Sequence, residues 1–227
     1  MTICMQTDQR ETLFAKLTEG LESLELRIDE MTRNRLLDYL DLLEKWNHVY
    51  NLTAIREKEK MVSMHLLDSI AILKHLPSGP YLDVGTGAGL PGIPLATILK
   101  DETFSLVDIV QKKCAFLRQA KAELALDNVT VMCAKIDQWH PTQHFACIVA
   151  RAYAEIPKFL ESCKHLLAPD FSARFDDAKI TLGVLLHCFW NNAQKVERFG
   201  IRQLFCLLLR CGAHDLGEIN GQSRVYD

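Results

Sequence analysis

Four glycines within eight residues, Gly85, Gly87, Gly89 and Gly92, stand directly after the short apolar run Tyr81-Leu-Asp-Val84 and directly before Ile93-Pro-Leu-Ala-Thr-Ile-Leu99. The pattern reads as strand, tight turn, helix. Glycines admit positive φ and leave no Cβ between the backbone and a ligand, while the free N–H groups at the start of the following helix point into the same space. Such a turn is built to hold a nucleotide-like ligand, and the rest of the chain has to say which.

Upstream of the turn the chain reads as helical. Leu13, Leu17, Leu21 and Leu24 fall at helical spacing in a loose lead-in, and from about Arg33 a stronger helix carries Leu36, Leu40, Leu43 and Trp46 on one face, flanked by Tyr39 and Val49. Asn51-Leu-Thr-Ala54 breaks it. Thr53 is then the expected cap of a further helix running through Met61, His65, Leu66 and Ile70 to Leu76, ended by Pro77-Ser-Gly-Pro80. Downstream of Tyr81 the rhythm changes. Strands near 81–84, 103–107, 129–133 and 145–150 alternate with helices near 92–99, 110–125 and 155–167, which implies parallel βαβ units with right-handed crossovers. The expected fold is α/β, a doubly wound and mainly parallel Rossmann-like sheet. A helical extension over residues 1–80 packs on it, and residues 81–227 form the α/β domain, atypical from 170 onward.

Composition narrows the partners. The net charge is −3 and the pI about 6.2, which excludes a generally basic protein that grips nucleic acid through many phosphate contacts and leaves room only for a local basic patch. The N-terminus has no signal-peptide pattern, and the late apolar runs 180–190 and 204–209 are too short to span a bilayer. A soluble cytoplasmic protein is expected. The eight cysteines include no Cys-x-x-Cys pair, so no metal site is assigned and buried reduced thiols are expected instead.

Several polar residues stand where strands deliver them to a crevice. Gly87-Ala-Gly-Leu-Pro-Gly92 satisfies the dinucleotide fingerprint, with Asp108 sixteen residues beyond at the end of the second strand, so an NAD-dependent oxidoreductase is a legitimate alternative. Asp83, inside the first strand, favours a different frame, Asp83-x-Gly85-x-Gly87-x-Gly89, which looks like motif I of S-adenosylmethionine-dependent methyltransferases. Asp108 can accept hydrogen bonds from the ribose hydroxyls of either cofactor. Asp137, after the third strand, is placed to meet an adenine amino group. Arg151, at the end of the fourth, can hold a cofactor carboxylate or a substrate phosphate. Lys112, Lys113, Arg118 and Lys121 on the helix after Asp108 read equally as a phosphate-contacting patch and as a solvated face. His65 and Asp68 share a helix face and read first as a hydrogen-bonded polar pair, second as substrate contacts.

Taken together, Trp46-Asn47 with Asn51-Leu-Thr-Ala54, His65-Leu-Leu-Asp-Ser69, Asp83-Val-Gly-Thr-Gly-Ala-Gly-Leu-Pro-Gly-Ile-Pro94, Phe116-Leu-Arg-Gln119 and Arg151-Ala-Tyr-Ala154 resemble the bacterial glucose-inhibited division protein B (GidB) family. Its members are small-subunit ribosomal RNA guanine-N7 methyltransferases. The resemblance spans about residues 30–168. It implies S-adenosyl-L-methionine as cofactor, with Gly85 and Leu90 lining the pocket, Ile136 and Asp137 flanking the adenine, and Arg151 also in contact. It further implies 16S rRNA or the small ribosomal subunit as partner; by their position in the chain, Lys112, Lys113, Arg118 and His65 are the candidate RNA contacts. A monomer that meets no membrane is expected. Guanine N7 already offers a lone pair, so no catalytic base is assigned and alignment is expected to carry the reaction.

Two departures stand out. Met64 occupies the position before the motif histidine where the family usually has arginine. After Leu167-Ala-Pro169, the family's glycine-led strand ending in Lys-Gly is absent, which raises a diverged or frameshifted C-terminus. Three alternatives stay open at this point: a methyltransferase acting on another substrate, an NAD-dependent oxidoreductase, and a catalytically silent binding module.

Overall fold

The computed structural model describes residues 2–151, 156–167, 206–210 and 225–226. The chain opens with α1 (Thr2–Ser23), the two-residue strand β1 (Arg27–Ile28) and α2 (Glu30–Tyr50). Asp29 starts α2 by accepting the backbone N–H of Thr32 on its carboxylate at 2.8 Å, which satisfies one of the donors every helix start leaves open. Asn51, left-handed at φ 50°, ends it. Leu36, Leu37, Tyr39, Leu40 and Leu43 are buried as the periodicity requires, but Val49 is 69% exposed and does not flank the buried face.

Thr53 does not cap the next helix. That helix, α3 (Lys58–Met61), begins at Glu57 with no side-chain cap. Thr53 Oγ1 instead accepts the Ile55 N–H at 3.2 Å and meets His65 Nε2 at 2.9 Å, so a tertiary partner displaced the local one. The chain continues as a single π-helical turn, Val62–Leu67, before α4 (Asp68–Ile70). Wider turns of this kind are frequent at functional sites.

The sheet follows the expected rhythm: β2 (Tyr81–Val84), α5 (Gly92–Ile98), β3 (Phe104–Asp108), α6 (Gln111–Glu123), β4 (Val129–Cys133), β5 (Cys147–Arg151) and α7 (Ile156–Cys163). The strand order is β4-β3-β2-β5 with all pairs parallel, and β6 (Cys206–Arg210) adds to β5 antiparallel. Order reverses at β2, which has β3 on one side and β5 on the other. A crevice therefore opens beyond its carboxyl end, where doubly wound sheets bind ligands.

Side chains alternate across the sheet. Tyr81, Phe104, Leu106, Cys147 and Val149 join a core shared with Leu17, Leu36, Leu40, Leu66, Phe116 and Leu117. Leu82, Val84, Val107, Ile148 and Ala150 face the other way, against Phe159, Cys163 and Leu166. The architecture is three layers, with the N-terminal helices sharing one continuous core with the sheet.

The helix expected at 155–167 ends sooner, as a tighter 3₁₀ turn at Lys164–Leu166 follows α7. Of the tail, only two strands fall within the described residues: β6, and β7 (Val225–Tyr226), which pairs parallel with β1. Residues 168–205 and 211–224, including the apolar run 180–190, lie outside them. No helix among the described residues is long and apolar enough to cross a membrane.

Candidate cofactor site

The glycine turn is held from below by Asp83. Its carboxylate is fully buried, and Oδ2 accepts Thr86 Oγ1 at 2.6 Å and the Gly92 N–H at 2.8 Å. One oxygen thus ties the turn and the first residue of α5 to β2. The other, Oδ1, is buried without a hydrogen-bond partner among the described residues. Burial pushes the Asp83 carboxyl up to about 6, against the pull of the Thr86 and Gly92 hydrogen bonds and of the Arg151 charge.

The glycines divide by task. Gly85, Gly87 and Gly89 have φ of 65°, 63° and 89°, in the region that L side chains rarely adopt. A Cβ on Gly89 would stand 2.5 Å from Ile93 Cγ1, and one on Gly92 would stand 2.2 Å from Leu106 Cδ2, so both permit helix to pack on sheet. A Cβ on Gly87 would meet nothing nearer than the Gly85 carbonyl at 3.8 Å. Gly87 alone of these three therefore faces open space.

Asp108, at the end of β3, reaches back to that residue. Oδ2 accepts the Gly87 N–H at 3.0 Å and lies 3.5 Å from Lys113 Nζ, while Oδ1 accepts the Val110 N–H at 2.9 Å. Oδ2 has both acceptor positions engaged and Oδ1 keeps one, so the carboxylate is not saturated. Leu90 and Ile136 are each 4% exposed with their side chains in the apolar core, which leaves their backbones as the groups that can meet a ligand. Asp137 is exposed and paired with Lys135 at 2.9 Å, which holds its carboxyl below the usual range.

Arg151 ends β5. Its Nη1 donates to the Met64 carbonyl and to Asp68 Oδ2, both at 3.1 Å. Nε and Nη2 make no hydrogen bond among the described residues, and the side chain is 21% exposed. The expected His65–Asp68 pair does not form. Asp68 binds Arg151 instead, and His65 places Nε2 on Thr53 Oγ1 and Nδ1 3.0 Å from the Met64 carbonyl. The Nδ1 contact with a carbonyl fixes the proton there, so Nε2 accepts from the Thr53 hydroxyl. Burial and the Arg151 charge lower the His65 pKa to about 4, and burial raises Asp68 to about 7 against the attraction of Arg151.

The model of the GidB family, described as rRNA small subunit methyltransferase G, matches residues 32–172. The chain belongs to this family. A protein of Methylobacillus flagellatus named ribosomal RNA small subunit methyltransferase G is 48% identical over 155 residues, covering 68% of this chain and 76% of that one. One of Burkholderia thailandensis with the same name is 47% identical over 168 residues, covering 70% and 73%. Among solved structures, a putative S-adenosyl-L-methionine-dependent methyltransferase of Methanococcus maripaludis superposes with a TM-score of 0.46 at 11% identity, over 78% of this chain and 94% of that one. The family match stops close to where the motif pattern breaks, just past Pro169.

The candidate RNA contacts of this family member are not one cluster. Lys112 and Arg118 are exposed, but six residues separate them, about 9 Å along the helix axis and about 120° around it. Lys113 turns toward Asp108 and the crevice, and His65 is 4% exposed, a buried link of the hydrogen-bond chain. Two residues that sequence reasoning passed over belong to the site. Tyr39, fully buried, donates its hydroxyl to the Ala88 carbonyl at 2.7 Å and so fastens α2 to the glycine turn. Thr86 does the same for Asp83. Tyr39 looks like any core aromatic of an amphipathic helix, and Thr86 stands within the glycine motif as one of its spacer positions.

Proposed function

We propose that the chain is an S-adenosyl-L-methionine-dependent methyltransferase that methylates N7 of a guanine in 16S rRNA of the small ribosomal subunit, acting as a cytoplasmic monomer. The observation that carries this reading is the open side of Gly87, bracketed by two buried carboxylates with acceptor capacity to spare, in a chain whose family is described as rRNA small subunit methyltransferase G. The residues fit the cofactor's chemistry. Asp83 Oδ1, buried and unpartnered, suits an ammonium group; the remaining donors of Arg151 suit a carboxylate; Asp108 suits ribose hydroxyls, and Asp137 an adenine amino group. Gly85, Gly87, Leu90 and Ile136 contribute backbone and the absence of bulk.

When bound, the cofactor supplies a methyl group on a sulfonium, already activated for transfer. Guanine N7 presents its lone pair without losing a proton, so the protein needs no general base. Its residues orient and exclude water. Arg151 is fixed by Asp68 and the Met64 carbonyl at the strand end nearest the helical layer, and Tyr39 holds the turn against α2. Alignment of this kind is worth about 7–11 kcal/mol in favourable cases.

Separate calorimetric titrations with S-adenosylmethionine, its demethylated product and NAD test the cofactor. Binding of the first two and not of NAD is expected, and binding of NAD alone would overturn the reading. Methyl transfer to unmethylated small subunits, lost in Gly85→Val, separates an enzyme from a silent binding module. Methylation at a base other than guanine would correct the target.

A further inference from the structure

Four aromatic rings form a row that starts at the cofactor turn and ends in solvent. Tyr39, bonded to Ala88, lies 6.4 Å from Phe116 on α6; Phe116 lies 5.6 Å from Trp46; and Trp46 lies 5.1 Å from Tyr50 at an interplanar angle of 31°. Phe116 is fully buried and Trp46 half-buried, while Tyr50 is 39% exposed. Tyr50 thus has one ring face backed by Trp46 and makes no hydrogen bond through its hydroxyl among the described residues. Next to it, Val49 is 69% exposed.

The charge around this ring is one-sided. Asp38, Asp41 and Glu44, the carboxylates of the middle of α2, are held by Arg10 and Lys58. Arg56 lies across the end of α2, donating to the Asn47 carbonyl at 3.1 Å and to Asn51 Oδ1 at 2.5 Å, and forms no ion pair among the described residues. Lys112 is exposed one helical turn before Phe116, the residue against which Trp46 rests, and also has no ion pair among the described residues. The loop that follows Tyr50 is tied to the crevice, since Thr53 reaches His65, and His65 shares the Met64 carbonyl with Arg151.

We infer that Tyr50 is a stacking platform for an unpaired base of the RNA substrate, with Arg56 and Lys112 meeting its flanking phosphates. The inference rests on the reading of an RNA substrate. An aromatic face next to unneutralised cations matches a base and its phosphate at once, whereas an apolar protein surface would have to bury the charge of Arg56. Single-stranded or unstacked bases are the RNA elements open to such a contact, because duplex bases present no free face. The platform's ring is held from behind, so little side-chain freedom is lost on stacking.

Steady-state methylation of unmethylated small subunits, and of a naked rRNA fragment, by the full chain and its Tyr50→Ala and Tyr50→Phe variants tests this, with calorimetric S-adenosylmethionine affinity measured alongside. Tyr50→Ala is expected to raise KM for both RNA substrates about tenfold or more, with cofactor affinity unchanged, and Tyr50→Phe to stay near the parent. Unchanged KM in Tyr50→Ala, or a matching loss of cofactor affinity, would overturn the platform while leaving the methyltransferase reading intact. A rise confined to assembled subunits would identify a ribosomal protein as occupant and also overturn it. Absence of methyl transfer to either RNA by the parent chain would instead sink the underlying reading.

Discussion

Substituting alanine at two glycines of the same turn should produce opposite damage. In Gly92→Ala the added Cβ would stand 2.2 Å from Leu106 Cδ2, 2.7 Å from Asp83 Oδ2 and 3.2 Å from Asp83 Cβ. Leu106 and Asp83 are both fully buried, so neither can swing into solvent. Overpacking of this sort costs about 1–3 kcal/mol, and displacing Asp83 from the Gly92 N–H adds about 1 kcal/mol. At roughly 2–4 °C per kcal/mol for a chain of this size, the melting temperature should fall by roughly 5–15 °C. In Gly87→Ala the new Cβ meets open space, and the cost is that of a left-handed non-glycine residue, about 1–2 kcal/mol, or roughly 2–8 °C. That methyl points where the ligand is proposed to lie, so S-adenosylmethionine affinity should drop at least about tenfold, or about 1.4 kcal/mol. Thermal denaturation followed by circular dichroism, paired with calorimetry on each variant, reads both effects. The division of the glycines is wrong if Gly92→Ala melts with the parent, or if Gly87→Ala binds the cofactor as the parent does.

Four further outcomes are expected. His65 titrates near 4 in the folded chain and near 6.5 when unfolded; as pH falls from 6.5 toward 4 the unfolded state takes up the proton first, and stability drops by up to about 3 kcal/mol. Burial-raised Asp68 and Asp83 act the opposite way over that window in both proteins, so the measure is the difference between them: by urea denaturation the stability of the parent minus that of His65→Gln should shrink by up to about 3 kcal/mol from pH 7 to pH 4. Tyr39→Phe removes the buried donor to the Ala88 carbonyl and should cost about 1 kcal/mol by urea midpoint, with weaker cofactor binding by calorimetry. Asp83→Ala leaves Thr86 Oγ1 and the Gly92 N–H without their acceptor, which predicts a loss of about 2–5 kcal/mol in the same denaturation assay. Asp137→Ala removes only an exposed pair with Lys135, so its melting temperature should stay with the parent while cofactor affinity falls.

The parts of the fold governed by local chemistry were readable in the chain. Gly85, Gly87 and Gly89 do take positive φ, the strands fall within about two residues of their expected places, and the helical layer precedes the sheet. What escaped reading is settled by partners distant in sequence. Thr53 has a capping residue's chemistry, yet its hydroxyl goes to His65, twelve residues on. Asp68 looked like a partner for His65 one turn away, but Arg151, eighty-three residues later, holds it. The π turn at Val62–Leu67 hides because apolar residues at helical spacing look the same whether or not one turn is wider. Nothing in the alternation of Val225-Tyr226 announces that it pairs with Arg27-Ile28. The candidate site was legible as a set of strand ends; which of its groups are already engaged by the protein was not.

Asp108 is one such group, and its engagement bears on turnover. The carboxylate proposed to receive the ribose also closes the glycine turn through the Gly87 N–H, so an incoming nucleoside meets an acceptor already ordered and already largely desolvated. Substrate and demethylated product carry the same ribose, and Asp108 has no means of telling them apart. The ammonium and carboxylate contacts proposed for Asp83 and Arg151 are likewise common to both, so whatever preference the protein has for the charged cofactor over its spent form must come from groups that meet the sulfonium itself. On that reading the glycine turn and Asp108 need not rearrange to tell product from substrate.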